Sequence, residues 1–329
     1  MEGVVDAVVR DLWTRIGGYS LCVTEFLRIT HQLLPESVFH RLCPELANGS
    51  RTPAGIPVLV QLLGGDPQCL AENAARAAAL GALGVDLNFG CPAATVNRHD
   101  GGANLLQYPE RILRIVEAVR QAVPACCPVS AKIRLGFDDP KLCLANAEAT
   151  AAGGASQLTV HCRTKKQMYL PPADWSWIPR IQERVKIPVV ANGEIWTRDD
   201  FVACLRQTQA RKFMIGRGAL SNPYLALEMG GQRPARWEDI APWLGVFFDR
   251  EEKLHSARYA LARSKQWLKY LSLQRHRTDL SSAAAAAELF ERLKTLECPK
   301  LFRHQLSACV PPEFLPRSNN LPLKEGASP

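Results

Sequence analysis

Pro188-Val189-Val190-Ala191-Asn192-Gly193-Glu194-Ile195 is a short apolar, β-branched run that stops abruptly at an amide, a glycine and an acid. Such a run is a buried strand, and the polar residues at its end mark the turn that follows as more than a spacer. The pattern recurs. Strands are predicted over 21–25, 58–62, 85–88, 129–135, 157–161, 188–192 and 212–216, with helical periodicity between them over 69–83, 109–123, 143–152 and 199–208. Strands alternating with helices form a parallel sheet. Each strand carries reactive residues at its C-terminal end: Thr24 and Glu25, Gln61, Asn88 then Cys91, Lys132 and Arg134, His161 and Arg163, Asn192 and Glu194, Gly216 and Arg217. An open doubly wound sheet gathers its ligand at one switch point, whereas a (β/α)8 TIM barrel builds its site from the ends of many strands. The barrel is the better reading, and it wants eight strands. The absent one belongs at the front, because the chain runs from Met1-Glu2-Gly3 straight into a helical pattern over 4–16. The recorded start is therefore read as an internal methionine, with a strand upstream of it.

The 329 residues allow one large domain and one smaller one. A composition 47% apolar and 22% charged excludes collagen-like, coiled-coil and wholly disordered chains. No apolar stretch approaches the ~18–20 residues of a membrane span, and charges at Glu2, Asp6, Arg10, Asp11 and Arg15 argue against a signal peptide. Eleven cysteines without a Cys-x-x-Cys pair indicate neither a disulfide framework nor a zinc site, and fit a reducing cytoplasm. No metal is expected. Beyond about residue 230 the β runs cease. Long helices are predicted over 239–271 and 281–296, so the division is a barrel domain over 1–229, a helical bundle over 230–309 and a disordered tail over 310–329.

Two loops, Ala191-Asn192-Gly193-Glu194-Ile195 and Ile215-Gly216-Arg217-Gly218, follow the last two strands, where barrels commonly hold phosphate on backbone N–H groups. Glycines also cap strands in ordinary turns, but two adjacent loops with an arginine exceed that need. Lys132 and Gln61 are suited to the charged and amide-like edges of a flavin ring. Most of the cysteines read as small hydrophobes; Cys91, between Gly90 and Pro92 at the catalytic face, is placed where a proton donor or a nucleophile would be held.

Taken in order, Val60-Gln61-Leu62, Asn88-Phe89-Gly90-Cys91-Pro92, Gly101-Gly102-Ala103-Asn104-Leu105-Leu106, Lys132-Ile133-Arg134-Leu135-Gly136, Val160-His161-Cys162-Arg163-Thr164 and the two glycine loops resemble the tRNA-dihydrouridine synthases. Leu21-Cys22-Val23-Thr24-Glu25-Phe26-Leu27-Arg28 and Lys265-Gln266-Trp267-Leu268 resemble the bacterial C-type branch, which acts on the D-loop uridine at tRNA position 16. The resemblance implies a monomeric enzyme with bound FMN, NADPH as reductant and tRNA as partner. It places Met1, Glu2, Gln61, Lys132, His161, Asn192, Gly193, Glu194, Gly216 and Arg217 on FMN-binding positions. Cys91 falls on the proton donor. Asn88 and Arg134 fall beside the target uridine, and Arg28, Arg263, Lys265 and Lys294 on tRNA contacts. Three departures stand out: the opening strand and its Ala-Pro are absent, Cys162 replaces a usual Gly, and Ala94 replaces a frequent Lys. A chain without that strand is expected to dissolve poorly or hold FMN weakly.

From Lys253 to Arg277 there are seven Lys or Arg, two His and no acid. At roughly 100° per residue, Arg258, Lys265, Lys269 and His276 share a stripe about 40° wide, suited to an RNA backbone. The rival readings are an FMN barrel acting on a free pyrimidine, like a dihydroorotate dehydrogenase, which needs no such stripe, and an RNA-binding protein that has lost catalysis with its first strand.

Overall fold

The computed structural model describes residues 3–97, 100–273 and 280–308. Met1, Glu2, His276 and the predicted tail lie outside them. The described residues divide into two compact units: those of 3–219 with Leu225–Gly231, and Leu220–Tyr224 with the described residues from Gln232 onward.

Among its described residues the first unit contains seven parallel strands, β1 (Cys22–Arg28), β2 (Val58–Leu63), β3 (Val85–Asn88), β4 (Val129–Arg134), β5 (Gln157–His161), β6 (Val189–Asn192) and β7 (Lys212–Met214), hydrogen-bonded in chain order. Helices α1 (Ala7–Ile16), α2 (Glu36–Leu42), α3 (Pro67–Ala79), α4 (Ala94–Asn97), α5 (Pro109–Ala122), α6 (Cys143–Ala152), α7 (Trp177–Gln182), α8 (Arg198–Thr208), α9 (Arg217–Ser221) and α10 (Leu225–Met229) punctuate them. This is the architecture of a TIM barrel, in agreement with the sequence. Among the described residues β1 and β7 share no ladder. Helix α1 nevertheless touches both sides of that seam: Thr14 Oγ1 lies 3.0 Å from Thr52 Oγ1, just before β2, while Trp13 Nε1 donates to the Ala219 carbonyl at 2.7 Å, after β7. Arg10, fully buried on the same helix, forks onto Glu45 at 2.7 and 2.9 Å. The helix can do this because Gly18 follows it at φ +81, where a Cβ would stand 2.8 Å from the Ala226 backbone.

Register explains why the strands alternate as they do. In a parallel ladder, directly paired residues face the same side. The rows Val60–Val85–Val129 and Leu62–Leu87–Ala131–Leu158–Val189 are wholly apolar and buried, and they meet Ala74, Ala77, Ile112, Ile115 and Val116 of α3 and α5. The rows of the opposite parity are polar: Gln61–Asp86–Ser130, then Asn88–Lys132–Thr159, then Arg134–His161–Asn192. Apolar rows therefore hold the helices to the sheet, and polar rows face the barrel interior toward the C-terminal ends of the strands.

Among its described residues the second unit has four helices, α11 (Trp237–Leu254), α12 (Ala257–Leu271), α13 (Leu280–Leu293) and α14 (Pro299–Ala308). The single helix expected over 239–271 is divided. Ser256 is extended and its hydroxyl accepts from Tyr259 N–H at 3.2 Å, an N-cap that starts α12 anew. Phe247 and Trp267 pack edge-on at 5.1 Å between centroids, and Phe248 stacks on Phe302 at 6.0 Å. No described helix is long and apolar enough to cross a membrane.

Candidate active site

Asp86 lies at the root of the site. It occupies the middle of β3, 1% exposed, and its two oxygens accept from Ser130 Oγ at 2.5 Å and Gln61 Nε2 at 2.7 Å. Gln61 Oε1 in turn accepts from Asn88 Nδ2 at 2.9 Å, and Asn88 Oδ1 accepts from the Gly90 N–H at 2.9 Å. The chain of bonds thus ends beside Cys91. That residue is half-buried, and its carbonyl accepts from Ala103 N–H at 3.0 Å and Asn97 Nδ2 at 3.1 Å. Gly102, at φ +60, lets the two limbs of the loop close: a Cβ there would stand 2.8 Å from the Cys91 carbonyl and from Val96 Cγ1.

Lys132 is one row further along β4, near enough to Cys91, Asp86 and Arg134 for each to act on its charge. Burial and then Arg134 pull its ammonium down to about 8 from an ordinary 10.5, against the opposing pull of Asp86. His161 is held well below its usual range by burial and by Lys132, Arg134, Arg163 and Arg217. It is therefore neutral near pH 7. Its Nε2 lies 3.3 Å from Arg163 Nη1, which makes Nε2 the acceptor and Nδ1 the protonated nitrogen.

The arginines do not all point at open space. Arg134 is buried, with Nε on the Gly90 carbonyl at 2.8 Å and Nη1 on the Thr164 and Met168 carbonyls at 3.1 and 2.8 Å. Arg163, fully buried, donates from Nε to the Leu170 carbonyl at 2.7 Å and pairs with Glu194. These bonds fasten the loop over 164–170 across the end of the barrel. Tyr169, 47% exposed, is the tip of that loop. Its ring lies 5.3 Å from the Arg134 guanidinium and 4.8 Å from that of Arg217, and the Trp196 ring lies 4.9 Å from the Arg217 guanidinium.

The glycine loop after β6 is tightly built. Gly193 has φ +115, and a Cβ there would meet His161 Cδ2 at 2.8 Å; its carbonyl accepts from Trp175 Nε1 at 2.9 Å. Glu194 follows at φ +61, unusual outside glycine, with Oε1 accepting from Trp196 Nε1 at 3.1 Å. Asn192 donates to the Met214 carbonyl at 2.7 Å, joining this loop to β7 and hence to Gly216 and Arg217 at the start of α9.

Of the residues singled out from sequence, Gln61, Asn88, Cys91, Lys132, Arg134, His161, Asn192, Gly193, Glu194, Gly216 and Arg217 meet at this one end of the sheet, and Arg28 closes β1 at the same end. Met1 and Glu2 are outside the described residues. In the helical unit, Lys265 is half-buried and Lys294 exposed beside Glu291. Arg263 is buried instead: its Nε lies 3.3 Å from Glu251 Oε1, and its guanidinium is 5.8 Å from the Phe247 ring. The sequence reading passed over Asp86, Ser130, Tyr169 and Trp196. An acid inside the apolar run Val85-Asp86-Leu87 was a visible signal; Tyr169, on an irregular loop, gave none.

The net result is a sheet end with Lys132, Arg134, Arg163 and Arg217 against Asp86 and Glu194, an excess of positive charge that suits an anionic group. Comparison with known proteins agrees with that chemistry. A family model described as Dihydrouridine synthase (Dus) matches residues 1–309. A tRNA-dihydrouridine(16) synthase of Pseudomonas putida is 52% identical over 323 residues, covering 94% of this chain and 98% of its own. One of the same name from Shewanella oneidensis is 53% identical over 275 residues, covering 83% of this chain and 87% of its own. Among solved structures, an old yellow enzyme homologue from Zymomonas mobilis matches with a TM-score of 0.50 at 14% identity, over 70% of this chain and 84% of that one, a likeness of fold alone. With a cysteine-bearing turn, a barrel-mouth lysine and a family match that runs through both units, the chain belongs to the dihydrouridine synthase family.

Proposed function

We propose that this protein reduces a uridine in the D-loop of tRNA, at position 16, to 5,6-dihydrouridine, with FMN held at the C-terminal mouth of the barrel and NADPH as reductant. The reading places it in the cytoplasm as a monomer. The observation that carries it is the convergence of Cys91 with Lys132 and the Gln61–Asn88 pair at one end of the sheet, in a chain about half identical to tRNA-dihydrouridine(16) synthases along most of its length.

The residues fit a flavin mononucleotide. Lys132 and Arg217 supply the charge that a phosphate and an electron-rich ring require, and the freed backbone around Gly193 and Gly216 lets a ligand approach closely. Gln61 keeps one N–H and one lone pair beyond its bonds to Asp86 and Asn88, the complement of a ring amide. When bound, the flavin would supply a hydride for C6 of the uracil. The C5=C6 bond is conjugated with the C4 carbonyl, so negative charge then gathers across C5 and O4. Cys91 donates its thiol proton at C5, and the rigid turn around Gly102 holds that donor in place. Asn88 and the loop clamped by Arg134 orient the base, which leaves its stacked setting to enter the mouth. The exposed basic residues Arg258 and Lys269 of α12 contact the RNA backbone.

The test is to express the protein in cells lacking their own activity at position 16 and to map dihydrouridine in their tRNA. Restoration at position 16 is expected; modification of another uridine refutes the assigned position, and no flavin in the purified protein refutes the chemistry.

A further inference from the structure

We propose that Asp86 is a positioning residue for this reaction: its carboxylate orients the Gln61 amide, through it Asn88 and the Cys91 turn, and gives Lys132 its countercharge. The inference rests on the reading that Gln61 and Lys132 flank the flavin.

An ionised carboxylate only accepts hydrogen bonds. With Oδ2 at 2.7 Å, Gln61 must present Nε2, because the flipped amide would set oxygen against oxygen. Gln61 Oε1 is thereby turned to Asn88, whose Nδ2 donates at 2.9 Å, and Asn88 Oδ1 is left to receive Gly90 N–H at 2.9 Å. One charge thus fixes the sense of two amides and of the turn before Cys91. Ser130, paired in register with Asp86, locks the other oxygen at 2.5 Å. Burial pushes the Asp86 carboxyl up from its ordinary range, and the bonds from Ser130 and Gln61 together with the nearby Lys132 charge pull it back toward the ionised form.

The same charge faces Lys132. The groups acting on that ammonium are Arg134 on its own strand, which opposes it, and Asp86, Cys162 and Cys91, which favour it; neutral His161 lies on β5 alongside. Asp86 is the carboxylate of this set. Removing its charge lowers the pH at which Lys132 gives up its proton.

Two variants separate orientation from charge. Asp86→Asn keeps the shape: its oxygen can accept from Gln61 while its NH2 faces Ser130 Oγ, so the bonds survive and the charge does not. Asp86→Leu removes both. Three readouts follow on the full chain: the Lys132 titration in the flavin-free protein by NMR of ¹³Cε-labelled lysine, FMN affinity, and the pH profile of flavin reduction by NADPH. In Asp86→Asn the Lys132 midpoint and the alkaline limb of the profile should both fall by roughly one unit, as expected for loss of a nearby opposite charge. In Asp86→Leu, FMN affinity should fall about tenfold or more as Gln61 loses its anchor, the scale of one charge-assisted bond. A Lys132 midpoint unmoved in Asp86→Asn overturns the countercharge, and unchanged FMN affinity in a folded Asp86→Leu overturns the orientation. If Asp86→Leu fails to fold, Ser130→Ala, which releases one Asp86 oxygen and leaves the charge in place, must weaken FMN binding; unchanged FMN affinity overturns the orientation. The titration needs no flavin, so failure of wild-type protein to bind FMN would refute the proposed function and leave the Asp86 result readable.

Discussion

Cys91 and Lys132 divide the proposed reaction between them. Replacing Cys91 with Ala should leave FMN bound and reducible by NADPH while turnover on tRNA falls by roughly 10²–10⁴, the usual contribution of a positioned acid. Stopped-flow reduction beside a tRNA assay checks this, and equal turnover in the variant removes the thiol from the mechanism. Lys132 gives a pH dependence whose sign is fixed by its chemistry. Its midpoint is lowered to about 8, first by burial and then by Arg134, so the ammonium exists below that pH and the neutral amine above it. With a flavin bound as proposed, the Lys132 ammonium would stabilise the negative charge that its reduction would bring. The rate of flavin reduction should therefore decline as pH rises through about 8, and Lys132→Ala should be slow and lack that limb. His161, neutral near pH 7, adds no alkaline limb of its own.

At the level of elements, function depends on how turns and caps are closed. Gly102 at φ +60 has the Cys91 carbonyl 2.8 Å from where a Cβ would be, so Gly102→Ala must push the Cys91 turn outward or strain the backbone. Turnover should drop at least tenfold with FMN content retained, because Lys132 and the loop after β6 are untouched; intact turnover would show that the turn tolerates displacement. Helix α8 is started by a capping box in which Thr197 accepts from Asp200 N–H at 3.1 Å and Asp200 accepts from Thr197 N–H at 2.9 Å. Thr197→Ala should cost about 1 kcal/mol of stability, seen as a lower Tm. Its helix follows directly on the Gly193–Trp196 loop, so FMN affinity is expected to weaken alongside.

For the molecule as a whole, the two units carry different kinds of charge. At the barrel end Arg134 and Arg163 are buried and committed to carbonyls or Glu194 and half-buried Arg217 to aromatic rings, whereas α12 offers Arg258 and Lys269 at the surface with Lys265 half-buried. Surface cations act on RNA by releasing counterions. Neutralising Arg258, Lys265 and Lys269 together should weaken tRNA binding and flatten the plot of log affinity against log salt by roughly 2–3, with flavin content unchanged. A slope equal to wild type would count against an RNA role for this face. Arg263 behaves differently. Glu251, its partner, is wholly buried, with His255 Nε2 3.7 Å away on the other side. Arg263→Ala should destabilise the helical unit by about 3 kcal/mol, the scale of a broken buried pair, so any loss of tRNA binding should follow its melting.

The sequence by itself determined the strands, their order and the end of the sheet at which chemistry gathers. Those are local matters: an apolar β-branched run bounded by glycine or proline is legible residue by residue, and alternating helices send every strand in the same direction. Cys91, Lys132, His161 and the loop at Asn192–Glu194 follow from that connectivity, since the end of each strand shares one rim. Tertiary structure alone decided what those residues hold. Asp86 meets Gln61 and Ser130 only through the register of three strands far apart in the chain. Tyr169 reaches Arg134 and Arg217 only because backbone carbonyls of its loop are tied down by buried guanidiniums. Arg263 looked like one more basic residue in an acid-free stretch until packing turned it onto Glu251 of the preceding helix. Likewise, apolar periodicity ran unbroken past Ser256, where the hydroxyl cap outcompeted the helix. Propensity and period are properties of neighbours in sequence; the partner of a buried charge is set by whichever side chains the fold brings within hydrogen-bonding reach.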